Sequence, residues 1–315
     1  MGENCQRLLA LLGLLLCLYY LVRCLGFLKY LFPRLGGAPP RAFFRSMGEW
    51  AVVTGAGDGI GKAYSFELAR RGLNVVMISR TLTKLQVAAA EIEESTGREV
   101  KIVEADFTRA DIYEDIQNSL QGLEIGILVN NVGMLPNTEP CRFLDGNKND
   151  TGLVNCNVLS VVKMTRMILG QMEKRRRGLI LNISSGVASY PCPLYSAYCA
   201  SKHFVAVFSK ALQAEYRSKG IIIQVIMPYG VSTPMTRNQK PNIITKTPDA
   251  FVRESLAYVT FGDQIFGSVA HEILGRIMKL IPLWILHSDR VQNKFVDAIG
   301  QRAKLRQKAP QQGPL

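Results

Sequence analysis

The stretch "LYSAYCASKHF", Leu194 to Phe204, sets a tyrosine four residues before a lysine, Tyr198 and Lys202. On a helix that spacing puts both side chains on one face, a turn apart. A phenol with a reference pKa of about 10 is a poor acid–base group at neutral pH, and a nearby ammonium favours its ionised form. The pair is a candidate proton donor with an electrostatic partner. Eleven tyrosines in 315 residues can generate such a pair by chance, although Tyr198 alone has a lysine four residues on. Its surroundings decide the reading. Ser185 closes "NISS" at the end of an apolar run, and Asn157 lies in a helical pattern within "NCNVLS". If the apolar runs are strands of one parallel sheet, Asn157, Ser185, Tyr198 and Lys202 converge at its C-terminal edge, where open α/β folds bind ligands.

A second set of residues suits a dinucleotide. The first strand candidate, "WAVVTG", runs into "TGAGDGIG", Thr54 to Gly61, and then into a helix. Glycines 55, 59 and 61 let the backbone turn tightly and approach a pyrophosphate at the helix N-terminus. The second strand ends in "ISR", so Ser79 and Arg80 stand where a carboxylate would accept bonds from a ribose 2′-hydroxyl. A guanidinium there grips a 2′-phosphate, which a carboxylate would repel, so the cofactor expected is NADP(H). Asp106, ending "EADF", is placed for an adenine amine. "NNVG", Asn130 to Gly133, would line the cofactor through Asn131.

These residues need a frame to hold them. The strand candidates "WAVVTG", "NVVMISR", "VKIVEADF", "GILVNNVG", "GLILNISS" and "IIIQVIMP" alternate with helical patterns near 60–71, 83–95, 111–120, 148–174 and 198–219. The runs are apolar throughout, as strands covered on both faces are, which predicts an α/β doubly wound parallel sheet. After Pro228 come a polar loop and helical stretches near 248–259 and 268–280, read as a substrate-covering helical region over 233–300, with a membrane-skimming surface as the rival reading of 268–280. The basic, Gln-rich 301–315 reads as a loose tail.

The N-terminus differs in kind. From Leu8 to Val22 no charge occurs, and apolar character resumes around Arg23 and Lys29. The uninterrupted run is shorter than the roughly 20 residues of a full span, but snorkelling cations lengthen it, and no Ala-x-Ala cleavage site follows. Residues 1–32 therefore read as an uncleaved hydrophobic anchor and 33–47 as a turn-rich linker to a catalytic domain over 48–232. Only Arg7 precedes the run, whereas Arg34, Arg41 and Arg45 follow it, which places the domain in the cytosol.

Other function classes find little support. The net charge of +13 comes without the interleaved aromatic and basic residues that hold bases, so no nucleic-acid partner is expected. Seven cysteines form no Cys-x-x-Cys, and "HEILG" has Gly275 where a zincin needs its second histidine, so no metal is expected. The sequons at Asn149 and Asn182 are read as chance, the second lying in a buried strand. Homodimerisation stays open.

"TGAGDGIG", "NNVG", the serine ending "NISS" and "YCASK" resemble, in order and spacing, the short-chain dehydrogenase/reductase family from about Trp50 to Pro228. The resemblance implies a Rossmann-type sheet and an oxidoreductase that passes hydride between NADP(H) and a carbonyl carbon. Tyr198 would be its acid, Ser185 would bond the carbonyl oxygen, and Lys202 would hold the nicotinamide ribose and lower the Tyr198 pKa. Asn157 would position a water. It further implies cofactor contacts from Asp58, Ile60 and Val231 beside those named above. Many members carry Pro-Gly after the sixth strand, whereas this chain has Pro228, Tyr229 and Gly230, which makes Tyr229 a candidate wall of the substrate pocket.

"SMGEWAVVTGAGDGIGKAYSFELARRGLNVV", "LEIGILVNNVGMLP" and the anchor are similar to the family's membrane-bound ketosteroid reductases. That implies a small apolar ketone, androstenedione, reduced to testosterone at the endoplasmic reticulum. A very-long-chain 3-oxoacyl-CoA reductase is the alternative enzyme. A catalytically silent NADPH-binding scaffold is the alternative of another class, although it would not need all four polar residues.

Overall fold

The computed structural model describes residues 2–31, 39–137, 139–146, 149–294 and 296–297. Helices α1 (Glu3–Leu31) and α2 (Arg41–Met47) precede the sheet. The expected strands form as β1 (Trp50–Thr54), β2 (Asn74–Ser79), β3 (Val100–Glu104), β4 (Ile125–Asn130), β5 (Gly178–Ile183) and β6 (Ile221–Ile226). Between them run α3 (Gly59–Arg70), α4 (Leu82–Thr96) and α5 (Tyr113–Leu120). Then α6 (Asp150–Val154) continues through a π turn, Asn155–Leu159, into α7 (Ser160–Arg175), and α8 (Ser196–Tyr216) leads to β6. After β6 come α9 (Pro248–Ala257), β7 (Gln264–Ile265), α10 (Val269–Leu280) and α11 (Leu283–Leu286).

All strand pairs are parallel, in the order β3-β2-β1-β4-β5-β6-β7. Every residue of β1, β4 and β5 is buried, because helices cover both faces. One apolar layer joins Tyr64, Leu68, Leu85, Ile92 and Phe251 to the sheet, and the other joins Ile116, Met164, Ile168 and Met172 to it. Strand order reverses direction between β1 and β4. The loops that follow these two strands therefore diverge and leave a crevice at the carboxyl edge.

Three features depart from the sequence reading. Gln264 and Ile265, inside the segment read as helical, add a seventh strand beside Val225 and Ile226. At two residues β7 is too short to show a period. Residues 41–47, inside the expected linker, are a helix whose Phe44 and Met47 are buried, with the Arg71 guanidinium 4.3 Å from the Phe44 ring centroid. The helix expected over 148–174 is interrupted by the π turn. The tail 301–315 and residues 33–38 of the expected linker fall outside the described residues.

Among the described residues, two helical runs are long and apolar enough to cross a bilayer. Asp150–Arg175 is mostly packed in the core, whereas Glu3–Gly26 has mean hydropathy 2.3 and no buried part. An apolar helical run with none of its length buried in the rest of the protein matches lipid better than water.

Candidate active site

The residues meet at the crevice above β1, β4 and β5. Thr54 ends β1, and its hydroxyl accepts from the amides of Asn131 and Val132 at 3.1 Å each. The Asn131 side chain in turn donates to the Thr54 and Gly55 carbonyls at 3.0 and 3.2 Å. Asn131 thereby locks the glycine loop to the end of β4. Gly55 sits at φ +66°, and a Cβ on Gly61 would collide with the Gly55 carbonyl oxygen, so the loop closes this tightly only with glycine at both positions. Beyond it, the first turn of α3 leaves backbone amides for an anion.

A cleft of about 240 Å³ extends from this loop and is lined by Gly55, Asp58, Gly59, Ile60, Ser79, Arg80, Asp106 and Asn131. These are the expected cofactor residues, with Gly61 beneath them. Asp106 already accepts from the Thr108 amide and hydroxyl through Oδ1, at 3.0 and 2.9 Å, which fixes its orientation. Lys84 also lines the cleft and pairs with Asp58 at 2.7 Å. Sequence reasoning missed it, because only the fold brings the first turn of α4 beside the glycine loop.

An adjoining cleft of about 610 Å³ is lined by Ser185, Tyr195, Tyr198, Lys202, Tyr229 and Val231. Ile60 and Asn131 border both clefts. Ser185 follows β5, while Tyr198 and Lys202 lie in the first turns of α8, as their spacing predicts. Lys202 is buried, and its Nζ donates to the Ile183 carbonyl at 3.0 Å. Its own backbone carbonyl accepts from the Ser184 hydroxyl at 2.6 Å. These bonds tie α8 to the end of β5.

Asn157 lies wholly buried in the π turn. Its Oδ1 accepts from the Met134 amide at 2.8 Å, and its amide hydrogens go to the Met134 carbonyl and the Ser201 hydroxyl, each at 3.0 Å. Ser201 passes the chain on to the Tyr198 carbonyl at 2.7 Å. With both hydrogens committed, Asn157 has only a lone pair left to offer a water. It clamps the loop after β4 to α8, and the wide π turn aims its side chain there.

Electrostatics differ from the expectation at one point. Burial pushes the Tyr198 hydroxyl up to about 12, with its hydrogen bond to Ser185 opposing the rise. Lys202, 6.0 Å from the Tyr198 ring centroid, does not bring that value down, and burial lowers Lys202 itself to about 8. In the protein alone, desolvation outweighs the charge pairing that the sequence suggests.

Tyr229 stacks on Phe266 with ring centroids 5.6 Å apart, and its buried hydroxyl has no hydrogen-bond partner among the described residues. An orphaned buried hydroxyl beside a cleft is a demand that a ligand can meet. Arg237, which lines the cleft, pairs with Glu139 at 3.2 Å, and farther along the chain Lys246 pairs with Glu254 at 3.3 Å.

A glycine cradle that closes only without Cβ atoms, arginine and lysine at its far end, and a serine, tyrosine and lysine where the two clefts meet fit a nicotinamide dinucleotide beside a carbonyl compound. This is the architecture of a dinucleotide-dependent oxidoreductase. The family model for short chain dehydrogenases matches residues 49–243, and the chain belongs to that family. It is 61% identical over 287 residues to rat 17-beta-hydroxysteroid dehydrogenase type 3, covering 91% of this chain and 94% of the relative. It is 44% identical over 302 residues to a very-long-chain 3-oxoacyl-CoA reductase of Anas platyrhynchos, covering 94% and 96%. A solved 7beta-hydroxysteroid dehydrogenase superposes with TM-score 0.69 at 25% identity, covering 82% of this chain and 99% of that one.

Proposed function

We propose that this protein is an NADPH-dependent ketosteroid reductase that converts the C17 ketone of androstenedione to the 17β-alcohol of testosterone. The observation that carries the reading is the 610 Å³ cleft, which opens onto Ser185 and Tyr198 and is walled by Tyr195, Tyr229, Leu135 and Met235. A rigid apolar molecule with a terminal ketone suits such a slot. Of the two cations that line the cleft and could serve the phosphates of a CoA thioester, Arg237 and Lys240, the first is already paired with a carboxylate. The likeness to 17-beta-hydroxysteroid dehydrogenase type 3 supports the same choice.

When bound, NADPH supplies the hydride for the carbonyl carbon. Arg80 and Lys84 would hold its 2′-phosphate end, the glycine loop its pyrophosphate and Lys202 its nicotinamide ribose. Tyr198, a phenol that is protonated at neutral pH, has the proton to give as charge develops on the carbonyl oxygen. Ser185, which lines the same cleft beside Tyr198, can donate its hydrogen to that oxygen. Asn157 keeps the loop after β4 and the start of α8 in register.

Helix α1 would anchor the enzyme in the endoplasmic reticulum membrane with the domain in the cytosol. Protease added outside intact microsomes should then digest the domain, and protection would reverse the orientation. The substrate reading is tested by kcat/KM with NADPH, for androstenedione against a long-chain 3-oxoacyl-CoA. A steroid preference is expected, and the opposite ranking would replace the substrate while leaving fold and site residues as they stand.

A further inference from the structure

Helix α10 has two faces of opposite character. His271, Glu272 and Gly275 are buried, whereas Ile273, Ile277 and Leu280 point outward, with Ile277 51% and Leu280 82% exposed. Positions 273, 277 and 280 form one helical stripe. The rotation of the helix is set by its inner side: the Phe266 amide donates to Glu272 Oε1 at 2.6 Å, and His271 Nε2 lies 2.8 Å from the Ile244 carbonyl oxygen. The outward stripe is thus held in place by buried polar bonds. It continues past Pro282 into α11, where Leu283 and Trp284 are exposed, Trp284 by 74%.

Two observations say what covers this face. Helix α10 is in contact with α1, whose run Glu3–Gly26 has no buried part, so what surrounds that helix lies close to α10 as well. Exposed cations, Lys279 on α10 and Arg290 and Lys294 after α11, accompany these side chains along the chain, with Asp289 among them. A tryptophan and aliphatic side chains in company with lysine and arginine match the headgroup boundary of a bilayer, where the rings and aliphatics sink in and the cations meet lipid phosphates.

We propose that α10 and α11 lie in the surface of the same bilayer that α1 enters, so the membrane grips the protein at a second place. This rests on the anchoring of α1 proposed above. The contact bears on the substrate. His271 Nδ1 accepts from the Tyr229 amide at 3.4 Å, and His287 Nε2 lies 3.1 Å from the Pro191 carbonyl oxygen, just before Tyr195. The membrane-facing elements therefore hold Tyr229 and the segment carrying Tyr195, two walls of the ketone cleft. An apolar ketone dissolved in the bilayer meets the cleft from that side.

The chain has two tryptophans, and Trp50 is buried. Full-length protein carrying Trp50→Phe, reconstituted in phosphatidylcholine–phosphatidylserine vesicles, reports on Trp284 alone. If that substitution prevents folding, the difference between wild type and Trp284→Phe yields the same signal. Lipids brominated near the headgroup should remove roughly half or more of the emission, and acrylamide should quench weakly, as for a side chain at the interface. Combining Ile277→Glu with Leu280→Glu should abolish bromolipid quenching while the vesicles still carry the protein through α1. Flotation with no bromolipid quenching and full acrylamide access would overturn the second contact alone. Shielding from acrylamide without bromolipid quenching, growing with protein density, would assign the face to a second copy of the chain and also overturn it. Failure to float would overturn both this contact and the anchoring of α1.

Discussion

Lys202 Nζ stands 6.0 Å from the centroid of the Tyr198 ring and donates instead to the Ile183 carbonyl, 3.0 Å away. The pair is a turn apart on α8 as the sequence spacing requires, but burial governs both groups before any ligand arrives. Lys202 is lowered from 10.5 to about 8. Between those values the unfolded chain binds a proton that the folded chain does not, so this group makes stability rise with pH, by up to about 1.4 kcal/mol per unit. Below about 8 both states carry the proton and the cost of burying it is constant. In urea titrations, the stability of wild type minus that of Lys202→Met should therefore increase from pH 8 to 10. A difference that stays flat would mean the ammonium is not desolvated.

Tyr198→Phe keeps the ring and removes the proton. Turnover should fall by roughly 10²- to 10⁴-fold, the range for a lost general acid, while NADPH affinity measured by fluorescence titration stays unchanged. Near-normal turnover would assign the proton to another group.

Arg80→Leu removes the guanidinium from the nucleotide cleft. NADPH should bind roughly 10- to 100-fold more weakly, as expected for a lost charge-assisted bond to phosphate, and NADH should be little affected. Equal losses with both cofactors would make Arg80 structural. Lys84→Ala should weaken NADPH binding in the same sense but alter stability little, since its bond to Asp58 is a surface ion pair.

Asn157→Ala leaves the half-buried Met134 amide and carbonyl without their partner, while the Ser201 hydroxyl keeps its bond to the Tyr198 carbonyl. Each such orphan costs about 1–3 kcal/mol, so the unfolding free energy should drop by roughly 2–6 kcal/mol, with turnover reduced through a displaced α8. An unchanged urea midpoint would show that the clamp carries no load.

The amino-acid sequence by itself determined what is encoded over short distances. "TGAGDGIG" between a strand and a helix, the Tyr198 to Lys202 spacing and the Ser79-Arg80 ending of β2 all occupy the nucleotide and ketone clefts, because period and turn chemistry act within a few residues. The apolar runs were legible as strands because a sheet covered on both faces demands them. Contacts between distant segments were settled only by the tertiary structure. Gln264 and Ile265 form a strand because β6 offers its open edge, and residues 41–47 coil because Phe44 finds a buried site under Arg71. Lys84 meets Asp58 across the gap between two helices, Asn157 reaches Met134 through the π turn, and Tyr229, folded against Phe266, finds no partner for its hydroxyl among the described residues. The protonation of Tyr198 belongs to the same group. Spacing placed a cation near it, but the depth to which both groups are taken out of water is a property of the packed core, and desolvation outweighs a charge 6.0 Å from the ring centroid.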